Sequence, residues 1–106
     1  MTKELLKVSE KQPVASGYSR SGNEWRRQTV VFETAPDYYG NVRKIAIDAM
    51  NDKVELMQSF PEGSWVEVGY IVSAREYNGR WFNDVRLVSA TQPGGGSVQD
   101  DGDLPA

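Results

Sequence analysis

Residues 64–90 read "SWVEVGYIVSAREYNGRWFNDVRLVSA", and their periodicity decides what kind of fold the chain builds. Val66, Val68, Tyr70, Val72 and Ala74 alternate with Trp65, Glu67, Gly69, Ile71 and Ser73. Successive side chains of a strand point to opposite faces, so the pattern predicts a long strand with one apolar face. Asn78-Gly79 follows, a dipeptide that accepts the positive φ angles of a tight hairpin turn. "RWFNDVRLVSA" then returns as the partner strand. Gly69, inside the first of the two strands, is expected to mark a bend or bulge where a small barrel turns a corner.

Upstream of this hairpin, "MNDKVELMQSF" is the single stretch with helical spacing. Asn51 or Asp52 is placed to cap it, and Val54, Met57 and Phe60 recur at every third residue. "VRKIAIDA" predicts a strand with Ile45 and Ile47 on one face and Lys44 on the other. "EWRRQTVVFET" predicts another, with Val30 and Phe32 on one face and Trp25, Arg27 and Thr29 on the opposite one. "ELLKVSEKQPVA" reads as a first strand that frays towards Pro13, "SGYSRSGN" as a flexible loop and "APDYYGN" as a turn.

Three strands, a short helix and two strands predict an all-β fold: a five-stranded Greek-key OB-fold barrel with the helix between strands three and four. Closure hides the sheet edges that otherwise invite aggregation. A β-sandwich needs more strands than this chain supplies. The barrel is expected over residues 1–92. Residues 93–106 are expected to form a flexible, Gly-rich acidic tail, disordered because its apolar content cannot offset the entropy of ordering it.

The composition narrows function. A chain of 106 residues, 39% hydrophobic and 25% charged, is the size and make-up of one globular domain. No apolar run approaches the roughly 20 residues of a membrane span, and "MTKELLKVSEK" lacks the apolar core of a secretory leader, so a cytoplasmic location is expected. Without Cys or His, the chain has no disulfide, no thiolate nucleophile, no ordinary zinc site and no imidazole base. No phosphate-binding or nucleophile motif is present either. The expectation is a binding protein rather than an enzyme, with no cofactor and no metal. Asp48, Asp52 and Glu55 are the nearest approach to an acidic cluster, and helix capping and the helix dipole account for Asp52 and Glu55.

The net charge of −3 divides unevenly. All 12 basic residues precede Pro93, together with 12 of the 15 acids, so the barrel is neutral. Asp100, Asp101 and Asp103 make only the tail acidic. Any affinity for phosphate therefore rests on a local patch.

Two constellations qualify. Trp25, Arg26, Arg27, Arg43 and Lys44 fall on two strands expected to be antiparallel neighbours. An indole beside cations on an exposed sheet is what single-stranded nucleic acid requires, because bases stack on the ring while cations hold phosphates. The hairpin supplies Arg75, Tyr77, Arg80, Trp81 and, beside them, Phe82 and Arg86. Its strands are expected to project as an arm at the barrel mouth. Trp81 and Phe82 point to opposite faces, and one of them is expected to pack into the barrel or against another subunit. Arg75, Tyr77 and Arg80 are the members expected to be exposed. Tyr38 and Tyr39 are a third, weaker set, equally readable as a packing lid.

"EWRRQTVVFET" together with "SAREYNGRWFNDVRL" resembles the small bacterial OB-fold family known as domain of unknown function 3127, over most of residues 3–90. That family is in turn similar to bacterial single-stranded-DNA-binding proteins, whose Trp-bearing strand "EWRRQTVVFE" resembles. The resemblance implies a non-enzymatic binder of single-stranded nucleic acid, DNA before RNA, that associates as a homodimer or higher oligomer. The tail ending "DDGDLPA" is similar to the acidic tip by which such proteins recruit replication and repair partners, which implicates Asp100, Asp101, Asp103, Leu104 and Pro105. The family's terminal aromatic anchor is replaced here by Ala106. The alternative function is a protein-interaction or oligomerisation module, since exposed Trp and Arg are also the residues of interfaces.

Overall fold

Alternating apolar residues that are β-branched or aromatic drive most of this chain into strands, and the computed structural model describes them over residues 1–93. In order they are β1 (Thr2–Lys11), β2 (Ala15–Tyr18), β3 (Glu24–Thr34), β4 (Lys44–Met50), the helix α1 (Asp52–Met57), β5 (Trp65–Tyr77) and β6 (Arg80–Thr91). β1 pairs with both β3 and β5, β3 with β4, β5 with β6, and β4 meets β6 in parallel at Asp48 and Arg86. The ring β1-β3-β4-β6-β5-β1 closes the sheet on itself. With a helix between the third and fourth strands of that ring, this is the OB-fold plan.

The sheet has one more strand than expected. The segment read as a flexible loop makes the short strand β2, with Ala15 opposite Arg27 and Gly17 opposite Trp25. Backbone pairing to the overlong β3 organises this Ser- and Gly-rich segment despite its low strand propensity.

The inner faces supply the core. Leu6, Val8, Val30, Phe32, Ile47, Val66 and Val68 are buried to within 1% of complete, and each such side chain contributes about 1.5–3 kcal/mol by leaving water. Val54 and Met57 from α1, with Phe60 beyond it, seal one end of the barrel. Asn51 does not cap the helix as expected. It sits at φ 52°, donates its N–H to the Arg26 carbonyl and accepts the Arg26 N–H on Oδ1. That pairing with β3 removes its side chain from the helix end. Lys11 Nζ lies 2.7 Å from the Met57 carbonyl, placing a cation at the C-terminal end of the helix, where the dipole favours it.

Gly69 lies where the alternation placed a bulge: the β5–β6 register shifts between Gly69 and Tyr70. A Cβ there would collide with Ser89 Oγ. Beyond this point the partner strands run out. β1 begins at Thr2, opposite Tyr70, and β4 pairs with β6 at Asp48 and Arg86 alone. Residues 71–77 and 80–86 therefore project as a two-stranded arm from the barrel end opposite the helix. No helix among the described residues is long and apolar enough to cross a membrane.

Candidate nucleic-acid interface

The arm is set by its turn. Asn78 and Gly79 take φ angles of 52° and 77°, the left-handed pair that a two-residue hairpin turn demands. Tyr77 then faces Arg80, Arg75 faces Phe82, Ser73 faces Asp84 and Ile71 faces Arg86. Directly opposed residues share a face. One face of the arm thus gathers Tyr77, Arg80, Arg75, Phe82 and Arg86, with Asp84 as its single carboxylate. Arg75 Nε donates to Asp84 Oδ2 at 2.9 Å, and its guanidinium carbon lies 5.6 Å from the Phe82 ring centroid. Both contacts hold Arg75 in place and leave Arg80 and Arg86 outside any ion pair among the described residues.

This face does not stop at the arm. Arg86 opposes Asp48, Asp48 opposes Thr29, and Thr29 Oγ1 donates to Asp48 Oδ1 at 2.7 Å. Thr29 lies on the outer side of β3 with Trp25, Arg27, Val31 and Glu33. Across β3, β4 and the arm, one continuous outer surface carries Trp25, Arg27, Lys44, Arg75, Tyr77, Arg80, Phe82 and Arg86. Its five cations outnumber its carboxylates Glu33, Asp48 and Asp84 on a barrel that is neutral as a whole.

Trp25 ends this surface near the helix. It is 37% exposed, and its indole lies against the backbone of Gly17 on β2: a Cβ built there would sit 2.8 Å from Cζ2 and 3.0 Å from Cε2. One ring face rests on a residue without a side chain, and the rest meets solvent. Gly17→Ala is expected to push the indole outward, red-shifting Trp25 emission in a Trp65→Phe, Trp81→Phe background. Unchanged emission would mean that the glycine is not the support of the ring.

The other expected residues lie elsewhere. Arg26 faces the opposite side of β3, where its guanidinium meets Glu55 of the helix at 3.3 Å. Arg43 and Lys44 do not join Trp25. Lys44 opposes Glu33, eight positions along β3, or roughly 26 Å away at the rise of a strand. Lys44 and Lys7 flank Glu33 at 3.9 and 3.6 Å. Arg43 stands in the β3–β4 loop, its N–H bonded to Thr34 Oγ1 at the barrel mouth. In that loop Asp37 accepts the N–H groups of Tyr39 and Asn41, and the Asn41 hydrogen bond is the main influence holding its carboxyl below the usual range. Tyr70 plugs the mouth. Burial first, and then its hydrogen bond to Glu4, pushes its phenol up.

Trp81 lies on the arm face away from the arginines, and neither it nor Phe82 packs into the barrel: they are 68% and 42% exposed. Of the two places expected for one of these rings, the barrel or another subunit, the barrel is ruled out by the arm's length, which carries both beyond the barrel wall. Phe82 and Arg86 join the candidate surface, and the signal for them was present. A two-residue turn fixes every pair outward from Tyr77 and Arg80. Asp100, Asp101, Asp103, Leu104 and Pro105, like the rest of the tail from Gly94 on, lie outside the described residues.

A closed five-stranded barrel with a projecting β5–β6 arm and an aromatic, cationic outer surface defines a small OB-fold protein. Within that class the chain belongs to the family described as domain of unknown function (DUF3127), whose model matches residues 3–89. Comparison with curated proteins finds no match.

Proposed function

We propose that this protein is a non-enzymatic, cytoplasmic binder of single-stranded nucleic acid, DNA before RNA, working without a cofactor. The observation that supports this reading is the continuity of the outer surface from Trp25 to Arg80. Flat rings at both ends and cations between them match what an unpaired strand offers: bases to stack and phosphates to neutralise. The surface runs roughly 33 Å along the strand direction. An OB-fold engages about 4–16 nucleotides, a length that such a track accommodates. Arg27, Lys44, Arg75, Arg80 and Arg86 hold phosphate in this reading, and Trp25, Tyr77 and Phe82 stack. Neither a unique base-edge reader nor a deep pocket is part of it, so sequence preference is weak.

Titration with an oligothymidine is expected to quench Trp25 emission. The logarithm of affinity should fall against the logarithm of salt with a slope of about −3.5, since each of the five phosphates neutralised on a single strand contributes about −0.7. Absence of quenching at low salt, or a slope near zero, would overturn the proposal.

A further inference from the structure

The arm has a second face, which the nucleic-acid reading leaves unused. Val72 opposes Val85, Ala74 opposes Asn83 and Glu76 opposes Trp81. This face continues the inner wall of the barrel past Tyr70: Val85 at its base still packs against the core, and towards the tip no core covers it. Val66 and Val68 on the same side of β5 are fully buried, whereas Val72 is 53% exposed and Trp81 68%. A two-stranded ribbon is marginal in water without a surface to pack on. We infer that this face seats a second copy of the chain, the two arms packing back to back across a two-fold axis.

Shape, charge and area each select a second copy. The small pair Ala74 and Asn83 lies midway between the bulky tip pair, with Trp81, and the valine pair at the base. A two-fold axis through the small pair sets each Trp81 onto the other copy's valine step. Every contact given is then a contact received, as a symmetric dimer requires. The two Glu76 carboxylates come to opposite ends of the joined ribbon. The arm's other face, with three arginines and one carboxylate, repels its own copy, so only the apolar face can self-associate. Each tip also reaches the other copy's barrel mouth, where Tyr38 and Tyr39 are 94% and 82% exposed. Aromatic side chains present about 150–250 Å² each. Three such rings from each of two copies bring the buried area to the order of 1,000 Å², the threshold for a specific interface. The arginine faces of both arms remain turned outward.

The absence of cysteine makes the test direct. Sedimentation without nucleic acid is expected to give twice the 11.8 kDa chain mass. Ala74→Cys, next to the axis, is expected to form a disulfide-linked dimer under mild oxidation at least about tenfold faster than Ser73→Cys on the other face. Trp81→Glu and Val72→Ser are each expected to weaken the dimer by about 100-fold or more, while Phe82→Glu leaves it intact. Circular dichroism checks that each variant is folded. A monomeric wild type at about 100 μM, equal cross-linking at residues 73 and 74, or a folded Trp81→Glu protein that still dimerises would each overturn the inference. Nucleic-acid binding plays no part in these readouts, so they fail or succeed separately from the proposed function.

Discussion

Reversing Arg80 and Arg86 together, as Arg80→Glu and Arg86→Glu, is expected to lower oligothymidine affinity by about 100-fold or more and to flatten the salt slope by about 1.4. The two residues are chosen because of what surrounds them. Arg75 already leans on Asp84 and the Phe82 ring, so its removal would disturb the arm as well as the ligand. Arg80 and Arg86 sit on the same face with no ion pair among the described residues, and their loss leaves the cross-strand ladder intact. Reversal turns the arm face from a net two positive charges to two negative, which repels phosphate rather than merely releasing it. Filter binding across salt concentrations reads both quantities. Glu76→Lys on the opposite arm face serves as control and should leave affinity within about twofold. A double variant that binds like the wild type would remove the arm from the interface, leaving Trp25 and Arg27 to account for any binding.

Phe32→Ala is expected to have the largest effect on stability, about 3–5 kcal/mol, because Phe32 is the largest of the fully buried side chains and its removal leaves a cavity in the core between its cross-strand partners Val8 and Ile45. Set against the roughly 5–15 kcal/mol that hold a domain of this size together, that loss takes a large part of the total. At about 4–8 °C per kcal/mol, Tm should fall by at least about 12 °C. Phe82→Ala gives the contrast. Phe82 is 42% exposed and lies on the arm face away from Val85, the arm residue that packs against the core, so Tm should move by only a degree or two while oligothymidine affinity falls by about 5-fold or more. Thermal denaturation followed by circular dichroism, paired with binding, separates the two phenylalanines. A Phe82 variant that melts as low as Phe32→Ala would make the arm part of the core and end its candidacy as a ligand surface.

Much of this was legible along the chain. Period-2 alternation in Val66 to Tyr70 and Val30 to Phe32 marked the inner wall, because a strand with one buried face must alternate. The Asn-Gly turn fixed the hairpin, and Gly69 marked its bulge. Asn51 departs from the capping role its sequence position suggests because a cap and a backbone partner use the same side-chain oxygen, and only the neighbouring strand determines which one wins it. The strand β2 is not legible in the sequence for a related reason: its four residues have little propensity of their own and are ordered by β3 beside them.

The sequence by itself determined which residues alternate and therefore which side of each strand they occupy. Only the closed sheet decided which of those sides join. Parallel contact at Asp48 and Arg86 links the Trp25 side of β3 to the arginine side of the arm, while Arg26, Arg43 and Trp81 fall away to the helix, the barrel mouth and the opposite face. The physical reason is that periodicity is local, whereas strand order and the point where pairing ends depend on residues far apart in the chain.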